Sequence, residues 1–597
     1  MIIGSDLEWN KNKIDVLGLA WDEGRQCTAT SRNFATLHQY LEILKRADVV
    51  VGQNFIDADC QQMAGEGIDT GWLEPKVFDT RLAMHATHGH LAGTGSFDLR
   101  SIVLLLNGRQ GFRFPLDWKQ YASDLHRTCA MDSAAALWCH PTLDRLIKRD
   151  KLDGVVRTMH RVAPIFARMH KQGVRLDPGV LAQIYEERKS KTARLIEQYH
   201  LWEERGKKKI KRVPIWRSDK ILDIFEKEFG VRPKDRQRKT LSKLVLDQTI
   251  PAGARELAGA VIDLGQGAND AHWLGTAEEG EDGLSFDKVG PDGFIYPRYD
   301  ICGSPDRAIA SGPNIQNFPR PSDDPRPVPL RSAIVPLQSG HTLLGVDFSS
   351  VETITNAYES LDMDRMRAAL TKQITHEGTA DLINKAFGLS LNRQQGKAIN
   401  HGFDKGESPY NLARTIFRTE RPSRVQVNQC KVMYEQMLKQ YPKTAKFRDQ
   451  LWERSVENPL VVRNSFGRQL MCFSRAKYGD AGEHFAKHDA SKKYWCSCSG
   501  CAPRRDRWKY AIAFLGRSAA FDALLQKMIV IWEGRRLDEY SLPMIECHDE
   551  LVFSVPVDRL DRYAVIAKDV FESPIPELGG VCLPSSVARG MSWAEAH

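Results

Sequence analysis

Asp347 closes the apolar run Leu343-Leu344-Gly345-Val346, where a buried carboxylate is costly unless a cation or polar partner meets it. Some two hundred residues later, Asp549 and Glu550 follow His548 between Pro543-Met544-Ile545-Glu546-Cys547 and Leu551-Val552-Phe553-Ser554-Val555, which predicts a hairpin with acids at its tip. Acids carried on distant strands suit phosphoryl transfer through two divalent ions about 3.5–4 Å apart, one activating the attacking hydroxyl and one holding the triphosphate. Arg393, Lys397, His401 and Lys405 recur every fourth residue and predict a cationic stripe on a helix about 18 Å long. Arg as a fork and Lys as a point charge can grip a triphosphate. Each element taken singly has a bland alternative, a surface acid or a solvated basic helix face. Ala398, Ile399, Gly402 and Phe403, small or apolar beside the stripe, weigh against the second.

A second set of acids opens the chain. Asp6-Leu7-Glu8 falls at the end of the first predicted strand, with its carboxylates expected on opposite sides of a regular strand and able to share a metal where the strand twists or ends. Gly52-Gln53-Asn54-Phe55-Ile56-Asp57-Ala58-Asp59, Phe78-Asp79-Thr80-Arg81 and Asp132 in a helix-like run add further acids. Cys496-Ser497-Cys498-Ser499-Gly500-Cys501 reads either as three ligands of a structural Zn²⁺, with Cys472, His484 or His488 as the fourth, or as free thiols.

Asp347-Phe348-Ser349-Ser350-Val351-Glu352 resembles motif A of the family A DNA polymerases, Arg393…Lys397…Asn400-His401-Gly402 resembles motif B, and His548-Asp549-Glu550 resembles motif C, in the family's order and spacing. Asp292-Gly293-Phe294-Ile295-Tyr296-Pro297, Arg307 followed by Gly312-Pro313-Asn314-Ile315-Gln316-Asn317-Phe318-Pro319, Leu330-Arg331-Ser332-Ala333 and Phe466-Gly467-Arg468 extend the resemblance over residues 160–597. It implies that Asp347 and Asp549 hold the metals, with the Phe348 carbonyl completing the site. Glu352 would bar a ribose 2′-hydroxyl. Arg393 and Lys397 would bind the triphosphate, Lys397 also serving as general acid, with His401 and Lys405 in the nucleotide pocket. His548 and Glu550 would support the primer end, and Arg307, Asn314 and Gln316 would contact DNA. The chain departs from the family at His401, where Phe or Tyr is usual, at Lys405, where Tyr is usual, at Glu546 for Gln, and at Gly516, where a minor-groove-reading Gln is common.

The N-terminal acids resemble those of the 3′→5′ proofreading exonucleases. That implies Asp6, Glu8 and Asp132 as metal ligands and Asp59 as the second-motif acid, with Asp57 its rival. Some phage members use the longer spacing from Asn54 that Asp59 has. Thr128 stands where a water-orienting Tyr is common, with Tyr121 and His126 nearby but out of register. The implied cofactors are two Mg²⁺ per active site, with Mn²⁺ as a substitute. The implied partners are primer-template DNA, deoxynucleoside triphosphates, and processivity or replication proteins. The type is bacteriophage-like, and some phage enzymes of this kind copy genomes containing a modified purine such as 2-aminoadenine.

The expected fold class is α/β and multidomain, a ribonuclease H-like exonuclease domain followed by a right-hand polymerase. The expected domains are the exonuclease over residues 1–155, a helical thumb over 156–265, a palm in two parts over 266–360 and 506–597, and fingers with the Cys-rich insertion over 361–505. Strands are expected at 1–8, 14–21, 49–51 and 342–346, and helices at 33–46, 181–199 and 218–229. A chain of 597 residues is too long for one core. Its net charge of +8 permits a polyanionic partner without requiring one. The densest basic run, Arg205-Gly206-Lys207-Lys208-Lys209-Ile210-Lys211-Arg212, is either a solvated loop or a phosphate contact. The first eight residues lack a signal-peptide pattern, and no apolar run reaches the roughly 20 residues that span a bilayer. A cytoplasmic monomer, in the host cytoplasm if phage-encoded and with reduced thiols, is therefore expected. Two rivals are a nuclease with a decayed polymerase half and a polymerase with a scaffold-only exonuclease half.

Overall fold

The computed structural model describes the chain except for residues 11–12, 93–96, 108–112, 116–122, 206–210, 216–217, 248, 263–288, 322–327, 374–375, 418, 420, 475–493, 495 and 497. Tyr121, His484 and His488 fall outside the described residues. Among the described residues no helix is long and apolar enough to cross a membrane.

The N-terminal sheet has the order Gln26–Ser31, Lys13–Trp21, Ile2–Asn10, Val49–Gly52, Val77–Asp79. The first three strands are antiparallel neighbours, and the last two run parallel to Ile2–Asn10. Parallel pairing needs a crossover, supplied by the helix Phe34–Arg46, which starts at a capping box between Asn33 and Thr36. The helix Leu125–Arg149 lies on this sheet so closely that a Cβ at Gly4 would meet the Ser133 carbonyl oxygen at 2.2 Å. That contact brings Asp132 over the first strand.

The second sheet is antiparallel, ordered Ile545–Cys547, Glu550–Pro556, His341–Phe348, Ser585–Gly590. Leu343, Leu344 and Val346 are fully buried, because the strand is covered on both faces and reads as a continuous apolar run. The helix Leu560–Phe571 packs on it, and the 33-residue helix Cys501–Glu533 contacts Leu560–Phe571, Val351–Glu359 and the Leu460–Arg463/Gln469–Cys472 hairpin. Between the two parts of this sheet lie the helices Met363–Leu370, His376–Phe387, Arg393–Asp404, Pro409–Ile416, Arg424–Gln440 and Pro442–Arg454. Ile383, Ile399, Leu412, Ile416 and Met433 form a small core among them.

The helix Asp153–Gln172 buries Met159, Val162, Ile165 and Phe166 in the main core. The next helix, Pro178–Gln198, buries Leu181 and Ile184 in the same core and packs Leu195 and Ile196 against a separate core around Ile221, Leu222, Phe225, Leu241 and Leu257. The basic run is partly strand, in the pair Trp202–Arg205 and Lys211–Pro214. The cationic-stripe helix ends at Asp404, so Lys405 is its C-terminal cap, with its N–H bonded to the His401 carbonyl.

Candidate active sites

Antiparallel pairing places Asp347 opposite Glu550, and the Phe348 N–H donates to the Asp549 carbonyl at 3.1 Å. The turn that aims Asp549 requires a left-handed backbone at His548, with φ of 68°. The Asp549 N–H closes it on the Cys547 carbonyl at 2.9 Å, and the His548 N–H donates to Glu546 at 3.0 Å. Burial, then the charges of Asp549 and Glu550, push Asp347 up to about 9, against Arg320 and Lys397. Burial pushes Asp549 to about 6 against the same Arg320, and burial with the nearby Arg307 charge pulls His548 down to about 4. Asp347 Oδ1 is buried with no hydrogen-bond partner. An orphaned carboxylate oxygen crowded by two further acids is what a divalent cation would satisfy, so the donor set fits Mg²⁺.

Glu550 is braced from the chain's end. Trp593 Nε1 donates to it at 3.3 Å and His597 Nδ1 lies 3.0 Å from it. A cavity of about 380 Å³ beside Asp347 and Glu550 is lined also by Arg320, Gly345, Ala596 and His597. Arg320, Trp593 and His597 were not legible in the sequence. Arg320 directly follows the recognised Asn317-Phe318-Pro319 stretch, which is the one signal that could have found it.

The two departures on the stripe converge on one side chain. His401 Nδ1 lies 3.2 Å from Glu352 Oε2 and Lys405 Nζ lies 3.7 Å from the same oxygen. A carboxylate only accepts, so the Nδ1 tautomer of His401 carries the proton. Burial raises the Glu352 carboxyl, but the His401 hydrogen bond, the Lys405 and His401 charges and Arg517 outweigh it and hold the group at about 2. Arg393 points to solvent and pairs with Glu377 at 2.5 Å.

Gln316, expected at DNA, makes hydrogen bonds within the chain. It is 7% exposed, its amide nitrogen donates to Glu546 at 2.7 Å and to the Ala308 carbonyl, and its oxygen accepts from the Ala310 N–H. The amide thus ties Glu546 to the backbone of Ala308 and Ala310, and burial pushes the Glu546 carboxyl up to about 8. Arg307 is half-buried near His548, and Asn314 Oδ1 is buried without a partner. Gly516 is explained by packing, since a Cβ there would meet the Asn356 side chain at 2.2 Å, where Cys501–Glu533 crosses Val351–Glu359. Arg468 is buried in a two-pronged pair with Asp522.

In the N-terminal sheet, Asp6, Glu8 and Asp132 bring one oxygen each to within 4.8 Å of one another. No twist is needed, because residues two apart on a strand share a face, and the register shift comes only after Glu8. Asp59 is 2% exposed and accepts the N–H of Leu7, between the two acids, at 2.9 Å. Burial, with the charges of Asp79 and Glu8, drives its carboxyl well above the usual range. Asp57 turns away to Arg298 at 2.5 Å. Asp79 caps the helix Thr80–His88 and accepts from Asn54 N–H at 3.1 Å. Thr128 is buried one turn before Asp132, and His126 lies 2.7 Å from Ser31. A cavity of about 670 Å³ opens from Asp6 and Asp132 toward Arg81, Arg298 and Asp300. Cys496, Cys498 and Cys501 also gather, with sulfurs within 4.8 Å of one another.

Comparison with known proteins places this geometry. The family model for DNA polymerase family A matches residues 291–595. The chain is 26% identical over 299 residues to DNA polymerase I of Caldicellulosiruptor bescii, covering 48% of this chain and 30% of that protein. It is 25% identical over 297 residues to the thermostable DNA polymerase I of Thermus aquaticus, covering 49% and 31%. The matched stretch thus spans about a third of these relatives' length. Over 100% of this chain and 96% of the other, the fold is similar to the POL domain of Pol1 from M. smegmatis in complex with DNA primer-template and dNTP, with a TM-score of 0.74 and 17% identity. Because that family model matches just over half of the chain, the paired acidic strands included, the chain belongs to DNA polymerase family A.

Proposed function

We propose that this chain is a DNA-directed DNA polymerase that extends a primer 3′ end, with a ribonuclease H-like 3′→5′ proofreading exonuclease in its N-terminal unit. The observation that carries the first part is Asp347 near the end of one strand beside Asp549 in the turn that leads into the neighbouring strand, with a buried, unsatisfied Asp347 oxygen. Asp347, Asp549 and the Phe348 carbonyl would hold two Mg²⁺, or Mn²⁺ in their place. When bound, these ions activate the primer hydroxyl and neutralise charge on the triphosphate. The residues of the chain do the rest. Arg393 and Lys397 grip the triphosphate, and Lys397, close enough for its charge to act on Asp347, protonates the leaving pyrophosphate. Glu352 excludes a 2′-hydroxyl beside His401. His548, neutral at pH 7, and the braced Glu550 support the primer end, and Arg307 lies on the DNA path.

The sheet order and the Asp6, Glu8 and Asp132 cluster support the exonuclease. These three would be its metal ligands, with Asp59 as the fourth acid. The Asn54-to-Asp59 spacing supports a bacteriophage-type replicative enzyme, a monomer working in the host cytoplasm. His401, a polar ring at the pocket, supports acceptance of a modified purine, tested by inserting 2-aminoadenine and adenine deoxynucleotides opposite thymine.

Extension and shortening of a labelled primer-template, compared among wild type, Asp549→Asn and Asp6→Ala, test both activities. Extension should vanish in the first variant and shortening in the second, each sparing the other activity. A folded wild type that shortens but never extends would leave only a nuclease. One that extends but never shortens would make the N-terminal unit a scaffold.

A further inference from the structure

We propose that Cys496, Cys498 and Cys501 supply three of the four ligands of a structural zinc ion that fastens the segment before the long helix to that helix's first turn. The three sulfurs lie within 4.8 Å of one another and all three residues are buried. Tetrahedral Zn–S bonds of about 2.3 Å set neighbouring sulfurs about 3.8 Å apart, so a small inward movement completes three corners. Disulfide formation cannot account for three converging sulfurs, because it pairs two and strands the third, and all three remain thiols. Cys472 packs in the same apolar cluster but its sulfur is not part of the converging group.

Cys501 is the first residue of Cys501–Glu533, and a helix N-terminus favours negative charge. Arg505 donates to the Cys496 carbonyl at 3.3 Å, while Arg504 and Arg507 reach Ser455 and the Trp452 carbonyl. The group also sits where a clamp has something to hold. Tyr494 stacks on Trp508 at 4.5 Å and 8°, and Trp452 meets both rings edge-on. The ion would therefore lock Tyr494 and the segment after it onto the helix that runs back to the acidic strands.

The test is the metal content of the purified full chain, produced with zinc and without chelator, by plasma mass spectrometry. About one zinc per chain is expected, lost in Cys498→Ser and Cys501→Ser and kept in Cys582→Ser, the exposed cysteine. Should the serine variants fail to fold, Co²⁺ added to chelator-treated wild type decides, through the near-ultraviolet thiolate-to-cobalt band. Chelation should also shift wild-type tryptophan fluorescence. Wild type without zinc or a cobalt band after reconstitution, or zinc retained in Cys498→Ser, would overturn the proposal.

Discussion

Replacing His401 by Phe and Lys405 by Tyr removes both groups that tie down Glu352, and the size of the effect follows from its environment. The carboxyl is held at about 2 rather than 4.5, which at about 1.4 kcal/mol per unit is about 3 kcal/mol in favour of the charged form. With 26% of the Glu352 side chain open to water, screening leaves about 1–2 kcal/mol. Because the folded value is depressed, this contribution is fully present above the ordinary value and is lost only as pH falls toward 2. Wild-type sugar discrimination should therefore be flat from neutral pH downward as far as the enzyme works. In His401→Phe/Lys405→Tyr the side chain is freed, and selection against a 2′-hydroxyl should fall about 5- to 30-fold. Burial now dominates, so discrimination should also vary with pH in the acidic range. The assay is single-nucleotide insertion, comparing kcat/KM for ribo- and deoxynucleotides. Unchanged discrimination in this variant, together with lost discrimination in Glu352→Ala, would refute the claim that His401 and Lys405 position the gate.

Other outcomes follow from the same geometry. Glu377→Ala frees Arg393 from its exposed ion pair and should lower the nucleotide KM by about 2- to 5-fold without changing kcat, as measured by steady-state insertion. Gly516→Ala should destabilise by about 1–3 kcal/mol in thermal unfolding, despite alanine's better helix propensity, because its Cβ meets Asn356. Adding Asn356→Ala should restore most of that loss. Asp522→Asn leaves Arg468 buried without its charge partner and should cost about 3–5 kcal/mol in denaturant unfolding.

The acidic strands were readable because buried strands leave an unbroken apolar run, so Asp347 and Asp549 stood out against it. The cationic stripe was equally plain, since helical period alone aligns Arg393, Lys397 and His401. What escaped was whatever depends on distant chain returning to the site. The edge strand Ser585–Gly590 carries mixed polar residues because only part of it is covered, and Trp593 and His597 reach Glu550 through tertiary packing that leaves no local pattern. The Gln316 bond to Glu546 escaped because the two lie some 230 residues apart. Gly516 looked like a lost contact because a close helix crossing has no signature on one strand of sequence.

The most direct measurement is insertion on four primer-templates that differ only in the first unpaired template base, with Mg²⁺ and each nucleotide offered singly, for wild type and Asp347→Asn. Asp347 as a metal-holding acid of a template-directed polymerase predicts addition of the complementary nucleotide alone in wild type and no addition in folded Asp347→Asn. Addition indifferent to the template base, or insertion by Asp347→Asn at the wild-type rate, would contradict it.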